Sequence, residues 1–326
     1  MNIKSHSLTT IILAFVSLIS ITALLLSNSN IEEPKKQHTE VPYCAVSPKV
    51  PRGVTFADKK IDLVQQDRRE RMDREIMAFT YAHINTILQI KRANRLFPII
   101  EPILKECNVP DDFKYLMIIE SNGDIYARSS VGACGLWQFM EKTGKEFGLE
   151  INAEVDERYN IEKATRAACD YLKKSYEEFG DWITVAASYN TGCSNIRDRI
   201  EKQKQSDAMN LTLHPETSRY IFRLLAAKTI FSDPVAYGFQ LKQSDLYPHL
   251  PAAQKKSING AVKSWPDYAR KYGLTYLQLR EANPWIRSTT LTNASKKHYS
   301  VLIPDANALR YDPEETKAHN PQWVIK

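Results

Sequence analysis

Two adjoining runs decide the reading: Pro110-Asp111-Asp112-Phe113-Lys114-Tyr115-Leu116-Met117-Ile118-Ile119-Glu120-Ser121 and Ser129-Ser130-Val131-Gly132-Ala133-Cys134-Gly135-Leu136-Trp137-Gln138-Phe139-Met140. The first predicts a helix. Proline needs no amide partner in a first turn, and two aspartates suit the positive helix end. Phe113, Leu116, Met117 and Glu120 recur at i, i+3, i+4 and i+7 and share one face. A carboxyl group thus closes an apolar stripe. Lost hydration favours its neutral form and raises its pKa, which is what an acid catalyst requires. The competing reading is a helix-end glutamate whose tip reaches water.

The second run shifts that balance. Asn122-Gly123-Asp124 stops the helix with turn residues. Gly132-Ala133 and Gly135 allow close backbone approach. Gln138 follows on an expected second helical run with an amide able to donate and accept.

Working outward, the chain has 326 residues and a formal net charge of +6. That mild excess suits an anionic polymer or a membrane surface and carries no nucleic-acid motif. Ser7 to Leu26 is an uncharged, mostly apolar run behind a short basic lead, long enough for a membrane anchor. Ser27-Asn28-Ser29 leaves a cleaved signal peptide open. Either reading of residues 1–29 exports the remainder. Five cysteines at irregular spacing (44, 107, 134, 169 and 193) do not form a disulfide framework for this length. One or two bridges or buried thiols both fit. No CxxC or HExxH spacing is present, so neither a metal nor another cofactor is expected.

Residues 30–59, punctuated by Pro34, Pro42, Pro48 and Pro51, read as a flexible tether. Residues 60–240 read as helical, with a long pattern over 60–97 and a short helix from Ile99 to Cys107 after Pro98. Further helices are expected over Ile161–Tyr176, from Asp181-Trp182 to Tyr189, and from Pro215. In Asp156-Glu157-Arg158-Tyr159-Asn160 the aspartate is expected to cap a helix or orient the arginine. Residues 257–304 read as strand, two short helices and strand. Residues 305–326 read as a frayed polar tail.

The blocks Glu120-Ser121, Ser129-x-x-Gly132-Ala133-x-Gly135-Leu136-x-Gln138, Tyr189-Asn190-x-Gly192 and Glu216-Thr217-x-x-Tyr220 resemble, in order and spacing, the soluble-lytic-transglycosylase (lysozyme-like) domain. The likeness spans about residues 95–235 and is greatest to the membrane-bound lytic murein transglycosylase D group. Residues 257–304 resemble a LysM repeat through Tyr268-Ala269-x-x-Tyr272-Gly273, Leu279, Asn283 and Ile303-Pro304. Lys263-Ser264-Trp265-Pro266 replaces the usual Gly-Asp-Thr entry, so the copy is degenerate.

The resemblance implies a mainly α, goose-type lysozyme-like domain with a small α+β module. It implies a carbon-oxygen lyase of the bacterial envelope, facing the periplasm, whose partner is the glycan strand of peptidoglycan and which needs no cofactor. Glu120 is then the catalytic acid, with Tyr189 beside its carboxyl group. Asn190 supports the groove, Gln138 contacts an N-acetyl sugar, and Ser129 and Glu216 line the substrate cleft. Trp137, standing where methionine is frequent, is expected to offer a stacking platform. A hydrolytic muramidase on the same fold, an inactive wall-binding scaffold, and Asp124 as a second carboxylate are the alternatives.

Overall fold

The structure is a computed structural model describing residues 46–250 and 253–325. The expected anchor over 7–26 and most of the tether lie outside those residues. Among the described residues no helix is long and apolar enough to cross a membrane.

The chain packs before the expected end of the tether. Strands β1 (Gly53–Phe56) and β2 (Lys59–Asp62) form an antiparallel hairpin. Ala57 and Asp58 turn it with φ of 47° and 62°, the twist that a two-residue hairpin loop requires. Phe56 is fully buried against the Phe113 ring at 5.4 Å. The Ala57 amide donates to Asp112 at 2.7 Å, so the hairpin is fixed to the turn that starts the Glu120 helix.

Helix α1 (Gln66–Tyr81) breaks at Ala82, and α2 (His83–Glu106) follows directly. Sequence reading stops a helix at Pro98; the structure runs α2 straight through Pro98 and Pro102. Leu96, Phe97, Ile100, Ile103 and Leu104 all lie in the core. Their burial offsets the ~3 kcal/mol cost of an interior proline. A 3₁₀ turn over Asp111–Phe113 leads into the short helix α3 (Lys114–Ser121). A loop without regular structure precedes α4 (Glu141–Glu146). Helices α5 (Ile161–Phe179), α6 (Trp182–Thr191), α7 (Cys193–Gln203) and α8 (Pro215–Ser232) complete the helical body.

Each boundary has a local cause. Asn160 and Asp181 accept hydrogen bonds from the first-turn amides of α5 and α6. Gly180 ends α5 at φ 64°. Ala186 and Ala187 of α6 are fully buried, and their small size lets α5 and α8 pack closely against it. Helix α8 is the central element, in contact with α1, α3 and α6.

The C-terminal module is β3 (Ala253–Ile258), α9 (Trp265–Arg270), α10 (Tyr276–Ala282) and β4 (Tyr299–Pro304), with β3 antiparallel to β4. The strand expected at Ser257–Val262 therefore starts four residues earlier. Ser264 accepts from the Asp267 amide at 3.1 Å, so the degenerate entry keeps a helix cap. Asn283, fully buried, donates to the Leu302 carbonyl at 2.7 Å and accepts its amide at 2.8 Å.

The tail is not frayed. Trp323 is 2 % exposed, its ring set against Phe97 and Phe231 at 5.7 and 5.8 Å. Its indole N–H donates to the Phe231 carbonyl at 2.7 Å. Asn94, on α2, donates to the Lys317 carbonyl and accepts the His319 amide. Trp323→Ala is expected to cost about 3–5 kcal/mol, since it leaves a large cavity and an unpaired carbonyl. Denaturant unfolding checks this, and a loss under about 1 kcal/mol would mean that the tail is not part of the core.

Candidate active site

Glu120 stands in the last turn of α3. Phe113, Leu116 and Met117, on the same face as Glu120, are fully buried. Asn122 closes the helix in the left-handed conformation at φ 55°, and Gln89 of α2 donates to its side chain at 2.7 Å. The Glu120 carboxyl keeps a partial opening to solvent but is otherwise enclosed by protein. Burial pushes its pKa up to about 7. A hydrogen bond from the Tyr220 hydroxyl to Oε1 and the positive charge of Arg223 act downward, and the negative charge of Glu216 acts upward. Desolvation dominates.

Tyr220 and Glu216 come from one face of α8, four residues apart. Tyr220 is buried, and burial beside Glu120 holds its phenol well above the ordinary tyrosine range. Glu216 is exposed in the first turn of α8. Arg223, one turn beyond Tyr220, donates to the Ile119 carbonyl at 3.3 Å, which ties the end of α3 to α8. Tyr220 closes the fourth block of the family pattern but takes no catalytic role from sequence, and Arg223 takes no role at all. Their signal was the i, i+4, i+7 series from Glu216, which reads equally well as a helix core face.

Tyr189, at the end of α6, lies near enough to Glu120 for the two charges to interact. Its hydroxyl donates to the Trp137 carbonyl at 2.7 Å, and Tyr220, not Tyr189, holds the carboxyl group. Its ring meets Tyr171 edge-on at 5.1 Å. Asn190 accepts from the Thr217 hydroxyl at 2.8 Å, joining the end of α6 to the start of α8.

The Ser129–Phe139 segment is a loop, and Gln138 is not helical. It sits at φ 49°, with its amide nitrogen donating to the Gly135 carbonyl at 2.8 Å and the Ala127 carbonyl at 3.3 Å. Those bonds fold the loop back on itself and block helix continuation until Glu141. Ser129 closes the loop base: its hydroxyl accepts the Ala133 amide at 3.0 Å, and its own amide donates to the Ala133 carbonyl. Gly135 has φ 75°, and a Cβ there would meet the Arg158 carbonyl at 2.0 Å. Only glycine fits. Trp137 corrects the stacking expectation. It is fully buried and donates to the Thr165 hydroxyl of α5 at 3.0 Å, so it presents no face to a sugar.

Asp124 accepts the Tyr126 amide at 2.9 Å and pairs with Arg92 at 3.4 Å. It serves the turn after α3. Tyr220 thus ties Glu120 to the helix that carries Glu216, and the Trp137 carbonyl ties Tyr189 to the loop that carries Gln138, while Ser129 and Asn190 brace these elements. Among the described residues, Cys107, Cys134, Cys169 and Cys193 are free thiols; Cys44 lies outside them.

The Glu120 carboxyl binds its proton more tightly in the folded chain than in the unfolded one. Its contribution is therefore complete below pH ~4.5 and is lost as pH rises through about 7. Glu120→Gln is expected to raise stability by about 3 kcal/mol at pH 8 and to leave it unchanged at pH 4. Paired denaturant melts test this; an equal gain at both pH values would place the carboxyl in an ordinary solvated state.

Residues 97–212 match the Transglycosylase SLT domain, and residues 254–307 match the Soluble lytic transglycosylase C-terminal LysM-like domain. Over 255 residues the chain is 28 % identical to the membrane-bound lytic murein transglycosylase D of Escherichia coli (strain K12), covering 76 % of this chain and 54 % of that protein. It is 28 % identical over 135 residues to a putative tributyltin chloride resistance protein of Alteromonas sp. (strain M-1), covering 41 % of this chain and 60 % of that one. The chain spans little more than half the length of these curated relatives. The crystal structure of the 70 kDa soluble lytic transglycosylase of Escherichia coli aligns at TM-score 0.38 and 19 % identity, over 50 % of this chain and 30 % of that one. The chain carries a transglycosylase SLT domain followed by a soluble lytic transglycosylase C-terminal LysM-like domain.

Proposed function

We propose that the protein is a peptidoglycan lytic transglycosylase that cleaves the β-1,4 bond from N-acetylmuramic acid to N-acetylglucosamine. The observation that carries this reading is the Glu120 carboxyl, held by burial at a pKa of about 7 and bonded on one oxygen to a neutral hydroxyl. Among the described residues no hydrogen bond reaches its Oε2, which leaves that oxygen for substrate.

Glu120 gives its proton to the glycosidic oxygen as the C1–O bond breaks and positive charge develops on the muramic ring. The glucosamine chain leaves with that proton. The carboxylate formed then takes the proton of the muramic C6 hydroxyl, whose oxygen bonds to C1. A 1,6-anhydro ring closes, Glu120 is again protonated, and no water is consumed. Intramolecular attack gains from holding both partners in one sugar. Tyr220 stabilises the carboxylate between the two steps. Gln138, whose amide nitrogen is spent within its loop, offers its Oε1 as an acceptor for an N-acetyl N–H. Tyr189, Ser129 and Asn190 shape the groove, and Glu216 lines it.

Glu216 supports one rival. Its charge reaches Glu120, and a hydrolytic enzyme would use it as a base to activate water. Residues 60–240 are taken as the catalytic unit and 257–304 as the wall-directed module. With residues 7–26 as the anchor or export signal, and a membrane-bound relative, the site of action is the bacterial cell envelope, on its periplasmic side.

Digestion of purified sacculi by the full chain is expected to yield sugar ends one water lighter than reducing ends by mass spectrometry. Glu120→Gln should lose about 100- to 10,000-fold in rate. Reducing ends would replace this reading with hydrolysis, and equal clearing of a peptidoglycan gel by Glu120→Gln would remove Glu120 from the chemistry. Activity should fall as pH rises past about 7, the range where Glu120 ionises. Tyr220→Phe removes a donor to the carboxylate, so that limb should move upward by about one pH unit. A limb that stays in place or moves down would deny Tyr220 this part.

A further inference from the structure

The segment Glu154-Val155-Asp156 belongs to the helical body in sequence but is built into the C-terminal module. Val155 is 1 % exposed and lies in the module's core beside Trp265, Leu279, Ile286 and Val301. It forms an antiparallel bridge with Ile286. The Asp156 amide donates to the Trp285 carbonyl at 2.9 Å, and the Arg287 amide donates to the Glu154 carbonyl at 2.9 Å. Glu154 in turn accepts the Thr292 amide and hydroxyl at 3.0 and 2.8 Å.

The side chain of Asp156 points the connection the other way. Its Oδ1 accepts Arg158 Nε at 2.9 Å and its Oδ2 accepts Nη2 at 2.7 Å. Both side chains are at most 10 % exposed. The remaining guanidinium nitrogen, Nη1, donates to the Gly132 carbonyl at 3.0 Å and the Phe139 carbonyl at 3.2 Å. Those carbonyls bracket the loop that holds Gln138. The Arg158 carbonyl also fills the space that a side chain at Gly135 would need. A planar fork with donors in fixed directions can hold an aspartate and two loop carbonyls at once; an ammonium group cannot.

We infer that Arg158 is a positioning residue for the Gln138 loop, and that the C-terminal module sets this loop's conformation through Asp156. The module then acts on the groove whether or not it binds glycan itself. The inference concerns the loop, and only its kinetic consequence rests on the function proposed above.

The test is amide hydrogen exchange on the full chain, comparing residues 129–139 with α5 as an internal control. Arg158→Lys keeps the charge and loses the fork; Ile286→Ala loosens the module end of the chain of contacts without touching the loop. Both should speed loop exchange by about 10-fold or more relative to α5, and the double variant should go little beyond either alone because both act through one path. Wild-type protection of the loop in either single variant overturns the inference, as does a double variant whose effects simply add. In turnover assays Arg158→Lys should raise KM for soluble glycan strands by about 10-fold with a smaller change in kcat. The Glu120→Gln digestion judges the proposed reaction separately, and the exchange result stands without it.

Discussion

Enclosing one carboxyl group without giving it a cation partner is the constraint on which the site depends. A charged glutamate in such surroundings would be costly, and protonation is the cheaper response. That outcome holds only while α3 stays in place. Tyr115 to Ile119 are all buried, so this eight-residue helix cannot slide or turn without exposing apolar surface. Its start is held by Asp112, which accepts both the Ala57 amide and the Lys228 ammonium. Its end is held by Arg92, which donates to the Asn122 carbonyl at 3.1 Å, and by Arg223 on Ile119. The short helix is therefore fixed at both ends by polar contacts and along its length by packing.

The loop opposite is stabilised by other means. It has almost no regular structure, and each of its turns rests on a named bond: Ser129 to Ala133, Gln138 to Gly135, Cys134 to Phe139. Trp137 anchors it from beneath through Thr165 of α5. Its carbonyl, facing the other way, receives Tyr189 of α6. One residue thus links the loop, the long helix α5 and the tyrosine beside Glu120. Rigidity here comes from satisfying backbone groups in a segment that cannot use a helix or sheet to do so.

Much of this was legible in the sequence because it depends on local chemistry. The apolar stripe under Glu120, the stop at Asn122, the pairing of Asp156 with Arg158 and the two-helix, two-strand module all follow from spacing and residue type. What was missed depends on distant partners. Pro98 reads as a helix end, yet the neighbours of Phe97 and Ile100 outweigh it. The platform expected of Trp137 comes from its place in the family pattern, where methionine is frequent; only α5, 28 residues on, gives its N–H a partner in the core. The tail reads as frayed because it is polar and broken by prolines, while the pocket that takes Trp323 is made by the distant Phe97 and Phe231. Gln138 keeps a helical pattern, but its side chain competes for loop carbonyls and wins. Tyr220 sits where a core residue and a proton-affinity modulator have the same spacing.

Two enclosed glutamates in this chain show how the partner, more than burial, decides what a carboxyl group does. Glu75 on α1 is 1 % exposed and accepts from Arg74 and from Arg219 of α8, each at 2.9 Å. Two guanidinium groups answer its charge, and the triad fastens α1 to α8. Glu120 meets the next turns of the same α8 but finds a phenol at Tyr220, while Arg223 spends a donor on a backbone carbonyl. A neutral donor can bond to either protonation state; a salt-bridged arginine favours only the charged one. Had Arg223 reached the carboxyl directly, the helix would be fastened as firmly and the proton would be gone. The order Arg219, Tyr220 and Arg223 along α8 therefore gives Glu75 a guanidinium partner and gives Glu120 a phenol.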